Sequence, residues 1–256
     1  ASLQNCLPER CLKLAQNPST QGYYALKASL ETSSASWIQR YLNLGGLDAL
    51  VDALESLSGR DFTNFGDTVL QLDCLGCIRA VLNTTEGMNS LLNQEDLVRK
   101  LVIALDSPNA LPKKQIFEVL TVVVVYSFRG HRAVMEALAH FQKICHQTSE
   151  YSLVLTELRE TDSATYKRTL LAFINALITR HKNLHERHRL RGHLIGLGIL
   201  NILESFRRDQ QDASLLIQLE VFWDMKGRDE DMLERSHSFD FNEPKEIFAA
   251  LLDEVN

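Results

Sequence analysis

LQLDCLGCIRAVLNTTEG, residues 70–87, admits two opposed readings. Cys74-Leu75-Gly76-Cys77 has the spacing of a redox or zinc motif. Yet Cys74, Cys77, Ile78, Val81 and Leu82 also fall at i, i+3, i+4, i+7 and i+8, which is one buried stripe of a helix. A zinc site needs four ligands, commonly a second such pair or spaced histidines, and no second CxxC occurs. A thioredoxin-type motif opens a helix after a strand, whereas this one lies inside a helical stripe. Free cysteine packs as a small hydrophobe. The segment is therefore read as a helix that buries its cysteines and carries Arg79 and Asn83 a turn apart on a neighbouring face.

The same period recurs along the chain. YKRTLLAFINALITR (166–180) places Leu170, Ile174, Leu177 and Ile178 on one stripe, and DASLLIQLEVFWDMK (212–226) does so with Leu215, Leu216, Leu219 and Phe222. KKQIFEVLTVVVVYS (113–127) is the ambiguous case, because Val122–Val125 has strand propensity. Its length and the Ile116/Leu120/Val123 spacing favour a helix, buried almost all round. A second class of segment alternates with these: 45–54, 95–107, 151–160 and 196–206, roughly 45–55 residues apart. Glycines (Gly45-Gly46, Gly196, Gly198) open two of them.

That period slightly exceeds the roughly 40–47 residues of armadillo or HEAT repeats. The surplus is assigned to long connections at 59–66 and 181–191. Stacked helical repeats bury one another's faces and pile into a solenoid. The expected fold is all-α, a right-handed armadillo/HEAT-like helical-repeat solenoid whose concave groove is lined by helices 70–83, 113–127, 166–179 and 213–226. Three regions are expected: an N-terminal helical segment at 1–35, repeats at 36–228, and an acidic connecting helix at 229–256. The last contains EPKEIFAALLDEV (243–255), with a helix-start signal at Asn242-Glu243-Pro244.

Composition agrees with a globular chain of 256 residues, 45% hydrophobic and 23% charged. No apolar run reaches the roughly 18–20 residues of a membrane span. The chain opens on Ala1 with no signal-like segment, so a piece of a longer polypeptide is expected. Five cysteines form no disulfide framework, which suits a reducing cytosolic setting. The net charge of −6 is concentrated after residue 219, where eleven acids face four basic residues. Such an end suits a basic partner segment, and the overall sign disfavours nucleic acid.

Catalysis finds no motif. There is no P-loop, dinucleotide or G-x-S-x-G signature, and no cofactor is expected. His181, His185, His188 and His193 form the most metal-like cluster, but Arg180, Lys182, Arg187, Arg189 and Arg191 surround it. It is read as a solvated basic connection, and no metal site is expected. The unusual polar residues lie instead on the presumed groove helices. Asn175 sits mid-helix, where its helix propensity is poor, and a carboxamide can bond a bound backbone through both donor and acceptor.

CIRAVLNTTEG, KKQIFEVLTVVVVYS, FINALIT and LLIQLEVF, in that order, resemble the diaphanous inhibitory domain of formins. SWIQRYLNLGGLDALVDALESL (36–57) is similar to its opening repeat, and LSGR, KKQIFE and LLIQLE resemble the inverted formin branch. The resemblance spans residues 10–250 and implies a non-enzymatic regulatory module. Its armadillo-like groove would bind the C-terminal amphipathic autoregulatory helix of the same polypeptide and restrain the actin-assembling domain. Actin or actin-associated proteins and a Rho-family GTPase are implied as further partners. A cytoplasmic, cytoskeleton-associated location is implied too, with endomembrane association of the full-length protein. The implied groove contacts are Arg79, Asn83, Val122, Val125, Tyr126 and Asn175. Where the family commonly has alanine, Val122 makes the groove shallower. A general armadillo-like scaffold binding another partner chain is the alternative reading.

Overall fold

The computed structural model describes residues 6–59, 65–208 and 212–237. The expected helix at 243–255 and most of the expected connection at 59–66 lie outside the described residues. Among those described there are fourteen α-helices and no strand. The chain divides into two compact units, residues 1–180 and 181–256.

The first unit is built in three-helix layers. Helices α3 (Ala35–Asn43), α4 (Gly46–Ser58) and α5 (Phe65–Leu82) make the first, and α6 (Thr85–Asn93), α7 (Glu95–Ile103) and α8 (Ala110–Tyr126) the second. Helices α9 (Phe128–Ile144), α10 (Ser152–Glu160) and α11 (Ala164–Thr179) make the third. Ahead of them, α1 (Pro8–Gln16) packs on α3 and α4, and α2 (Thr20–Thr32) packs on α5. Helix α2 and the third helices of the layers form a continuous row, α2–α5–α8–α11, by successive contact. Periodicity finds the second and third helix of each layer but leaves the first, more polar helix among the connections. An extra helix, not longer loops, thus fills much of the repeat length.

The contested helix α5 is secured by its cysteines. Cys74 Sγ donates to the Leu50 carbonyl of α4 at 3.2 Å, and Cys77 Sγ donates to the Tyr23 carbonyl of α2 at 3.3 Å. Both are fully buried, and burial pushes the Cys74 thiol up to about 12. A thiol so far from ionising is neither a ready nucleophile nor a ready ligand. The pair pins α5 between two neighbours.

Helix α8 departs from its expected surroundings. Ile116, Phe117, Val119, Leu120, Val123 and Val124 are buried, but Val122 and Val125 are exposed. The reading of α8 as buried almost all round is corrected, because the row packs each helix on its two flanks and leaves a stripe between them open. The Phe117 ring packs tilted against Phe173 of α11, with centroids 5.3 Å apart, and burying such a ring contributes roughly 1.5–3 kcal/mol. Lys113 pairs with Glu157 of α10, which also accepts from the Tyr166 hydroxyl at 3.0 Å. These contacts fix how α8 presents its open stripe.

The turns out of the row are tight. Thr84 caps α6 by accepting from the Gly87 amide at 3.0 Å, and Ser127 caps α9 by accepting from the Gly130 amide at 3.0 Å. A Cβ on Gly87 would lie 2.1 Å from the Val81 carbonyl oxygen, and one on Gly130 would lie 2.1 Å from that of Val123. Backbone cannot yield as a flexible side chain can. Gly87→Ala is therefore expected to cost about 1–3 kcal/mol, read as a lower urea midpoint at unchanged m-value. An unchanged midpoint would contradict the crowding.

The second unit contains α12 (Leu184–Gly196), α13 (Ile199–Arg208) and α14 (Ala213–His237). The supposed connection at 181–191 is thus largely helix, and α14 runs past residue 226. Its basic residues are not simply solvated. Arg187 donates Nη2 to Asp229 Oδ1 at 2.7 Å and Nε to both carboxylate oxygens at 3.1 and 3.2 Å. Arg191 donates Nη2 to Asp229 Oδ2 at 2.9 Å. Burial would raise the Asp229 pKa, but the two guanidiniums outweigh it and hold the carboxyl below its ordinary value. No described helix is long and apolar enough to cross a membrane.

Candidate partner-binding groove

The groove lies where α5 and α8 run side by side in the row. Arg79 stands on the last turn of α5, and Asn83 follows, its amide closing the helix on the Arg79 carbonyl at 3.0 Å. Across the gap, Arg79 Nη1 donates to Glu118 Oε2 of α8 at 3.3 Å, while Lys114 Nζ lies 3.4 Å from the other oxygen. Both partners of the Arg79–Glu118 pair are substantially solvated, so the pair is worth no more than about 1 kcal/mol. It yields readily to a competing group.

Between these residues lies a cavity of about 90 Å³ lined by Arg79, Leu82, Asn83, Glu118, Val119 and Val122. Its floor is apolar, formed by the buried Leu82 and Val119. Its outer wall is Val122, 53% exposed, and the apolar stripe continues along α8 through Val125 at 58% and Tyr126 at 44%. Phe128, opening α9, is also exposed. Val122, Val125 and Tyr126 thus form an exposed apolar stripe beside polar walls.

Arg79, Asn83 and Val122 thus share one cavity, and Val125 and Tyr126 extend its wall by a turn. Asn175 differs. It is only 4% exposed on α11, and it does not line that cavity. Leu82, Glu118 and Val119 were missed in the sequence. Glu118 was findable, because it stands four residues before Val122 on one helix face. The histidines are not brought together. His185, His188 and His193 are exposed on α12, and no group of three metal-ligating side chains occurs among the described residues.

Fold and cavity together define an armadillo-like helical-repeat module with an open, mixed apolar and polar groove. Two family models match the chain, the Diaphanous GTPase-binding Domain over residues 9–125 and the Diaphanous FH3 Domain over residues 131–256. The first runs from α1 through most of α8. Inverted formin-2 of Xenopus tropicalis and of Xenopus laevis are each 39% identical to the chain over all 256 residues. Formin-H of Dictyostelium discoideum is 28% identical over 209 residues, 81% of the chain and 19% of that protein. The crystal structure of E. histolytica Formin1 bound to EhRho1-GTPgammaS superposes with a TM-score of 0.74 at 18% identity, covering 90% of this chain and 80% of that one. The chain belongs to the formin family, as its diaphanous GTPase-binding and FH3 region. It spans 18% and 23% of the two inverted formins it matches.

Proposed function

We propose that this region is an autoinhibitory module that holds the C-terminal amphipathic helix of its own polypeptide against Val122, Val125 and Tyr126. Capture would restrain the actin-assembling part of the formin, and release would free it. The supporting observation is the exposed apolar stripe of α8 beside a cavity walled by Arg79 and Asn83. Helix-in-groove recognition seats anchors at i, i+3, i+4 and i+7 in an apolar trough, and a polar rim sets direction. Asn175, being buried, is assigned a supporting role. Asn175→Ala is expected to lower the melting temperature more than the affinity.

A Rho-class GTPase is the second proposed partner. The match to a GTPase-binding family model supports this, as does the fold shared with a formin solved in complex with a Rho protein. The proposed setting is cytoplasmic and cytoskeletal, and the module is read as non-catalytic.

The direct test is fluorescence anisotropy with a labelled peptide from the C-terminal segment of the parent polypeptide. Saturable binding is expected, and its absence would overturn the autoinhibitory reading. Salt dependence tests the acidic end separately. Asp229 is consumed by the two arginines of α12, and Glu230 is held by Lys226 at 2.6 Å. Any steering must therefore come from the remaining acids after residue 219. Raising ionic strength is expected to slow association with a basic-flanked peptide more than it speeds dissociation. An association rate indifferent to salt would remove that role.

A further inference from the structure

Helix α5 carries a glycine that its packing does not require. Gly76 lies mid-helix, where glycine is less favourable than alanine. A Cβ there would meet Lys27 Cδ as its nearest atom, at 3.5 Å, an ordinary contact. Gly87 and Gly130 answer to backbone crowding, but Gly76 does not. Glycine also serves where a ligand must approach a helix closely.

Gly76 lines a second cavity, of about 270 Å³. Arg79 and Asn83 line both cavities. The second also includes Lys27 and Glu31 of α2 and Gln115 of α8. Its walls are mostly polar, with two cations and two carboxamides against one carboxylate. Both cations have carboxylate neighbours, and the Lys27 charge also acts on Asp73 of α5. Lys27 lies 3.8 Å from Glu31, and Arg79 lies 3.3 Å from Glu118, both in solvated pairs. Each therefore retains N–H donors for another acceptor.

We infer that the groove has a second compartment over Gly76, shared by α2, α5 and α8, that receives an acidic side chain of the segment docked on Val122. This rests on the autoinhibitory reading above. The incoming carboxylate accepts from Lys27 Nζ and the Arg79 guanidinium, and the amide groups of Asn83 and Gln115 offer neutral donors. The apolar anchors stay in the α5–α8 cavity. Helix α2, outside the repeats, becomes part of the site.

The experiment titrates the labelled C-terminal peptide of the parent polypeptide against the wild-type chain, Gly76→Ala, Gly76→Gln and Lys27→Glu. Gly76→Ala is expected to melt no lower than wild type. Gly76→Gln, filling the compartment, is expected to weaken binding about tenfold without lowering the melting temperature. Lys27→Glu is expected to weaken it about tenfold, with recovery when one acidic residue of the peptide is changed to lysine. Wild-type affinity in both Gly76→Gln and Lys27→Glu, alongside loss of binding in Val122→Asp, would overturn the second compartment and leave the first intact. Failure of the wild-type chain to bind would instead remove the autoinhibitory reading, and this inference with it.

Discussion

Val122→Asp is expected to abolish capture of the C-terminal segment, by 100-fold or more, while the module stays folded. The two halves of that expectation rest on one fact. Val122 is half-exposed in the free chain, so an aspartate there keeps its hydration until a partner covers it. The folding cost is then limited to poorer helix propensity, about 0.5 kcal/mol. Like-charge repulsion from Glu118, four residues earlier, adds roughly 0.2–0.5 kcal/mol. Binding is different, because the docked helix would press an unpaired carboxylate against Leu82 and Val119. Burying a charge without a partner costs several kcal/mol, and each 1.4 kcal/mol is about tenfold in affinity. Anisotropy and circular dichroism on the same sample separate the two halves. Retained affinity with a retained helical spectrum would show that the segment docks elsewhere.

The largest stability effect is expected at Asp229→Ala. Asp229 anchors α14 to α12 by accepting from Arg187 and Arg191, whose side chains are 16% and 3% exposed. Removing the carboxylate leaves two shielded guanidiniums without their counter-charge. Breaking such a buried pair from one side costs about 3–5 kcal/mol. At 2–4 °C per kcal/mol for a chain of this size, the melting temperature should fall by roughly 6–20 °C. Arg187 also donates Nη1 to the His181 and Lys182 carbonyls, each at 3.1 Å, so the start of the second unit should loosen together with α14. A melting temperature within a degree of wild type would show that the network contributes little.

The pH dependence follows from the sign of the shift. Asp229 has its folded pKa held below the unfolded value of about 3.9. Its contribution is therefore fully present above about pH 4 and is lost as pH falls through the depressed folded value. The stability gap between wild type and Asp229→Ala should be flat from neutrality to mildly acid pH. It should close only in stronger acid.

How much of this was legible in residues 1–256 varies from one feature to another. The period at 70–82 is enough to place Cys74 and Cys77 in a core, since three residues apart on a helix is one face. The same rule finds α5, α8, α11 and α14. It fails for α12, whose mixture of histidines and arginines shows no apolar stripe wide enough to stand out. Arg187 and Arg191 are four apart and share a face, but their partner lies 42 and 38 residues away. No local rule points to it.

The sequence by itself determined the helical class, the repeat spacing and the set of polar and apolar residues at the end of α5 and along α8. Those follow from local spacing, because a helix sorts its side chains by face whatever it packs against. Only the tertiary structure decided which faces stay open. Val122 and Val125 are as apolar as Val123 and Val124, yet the flanking helices cover one pair and leave the other to solvent. Likewise α2 joins the row beside α5, and Gly76 comes to face Lys27 across a gap. Burial is a property of neighbours, and neighbours far apart in the chain are set by packing.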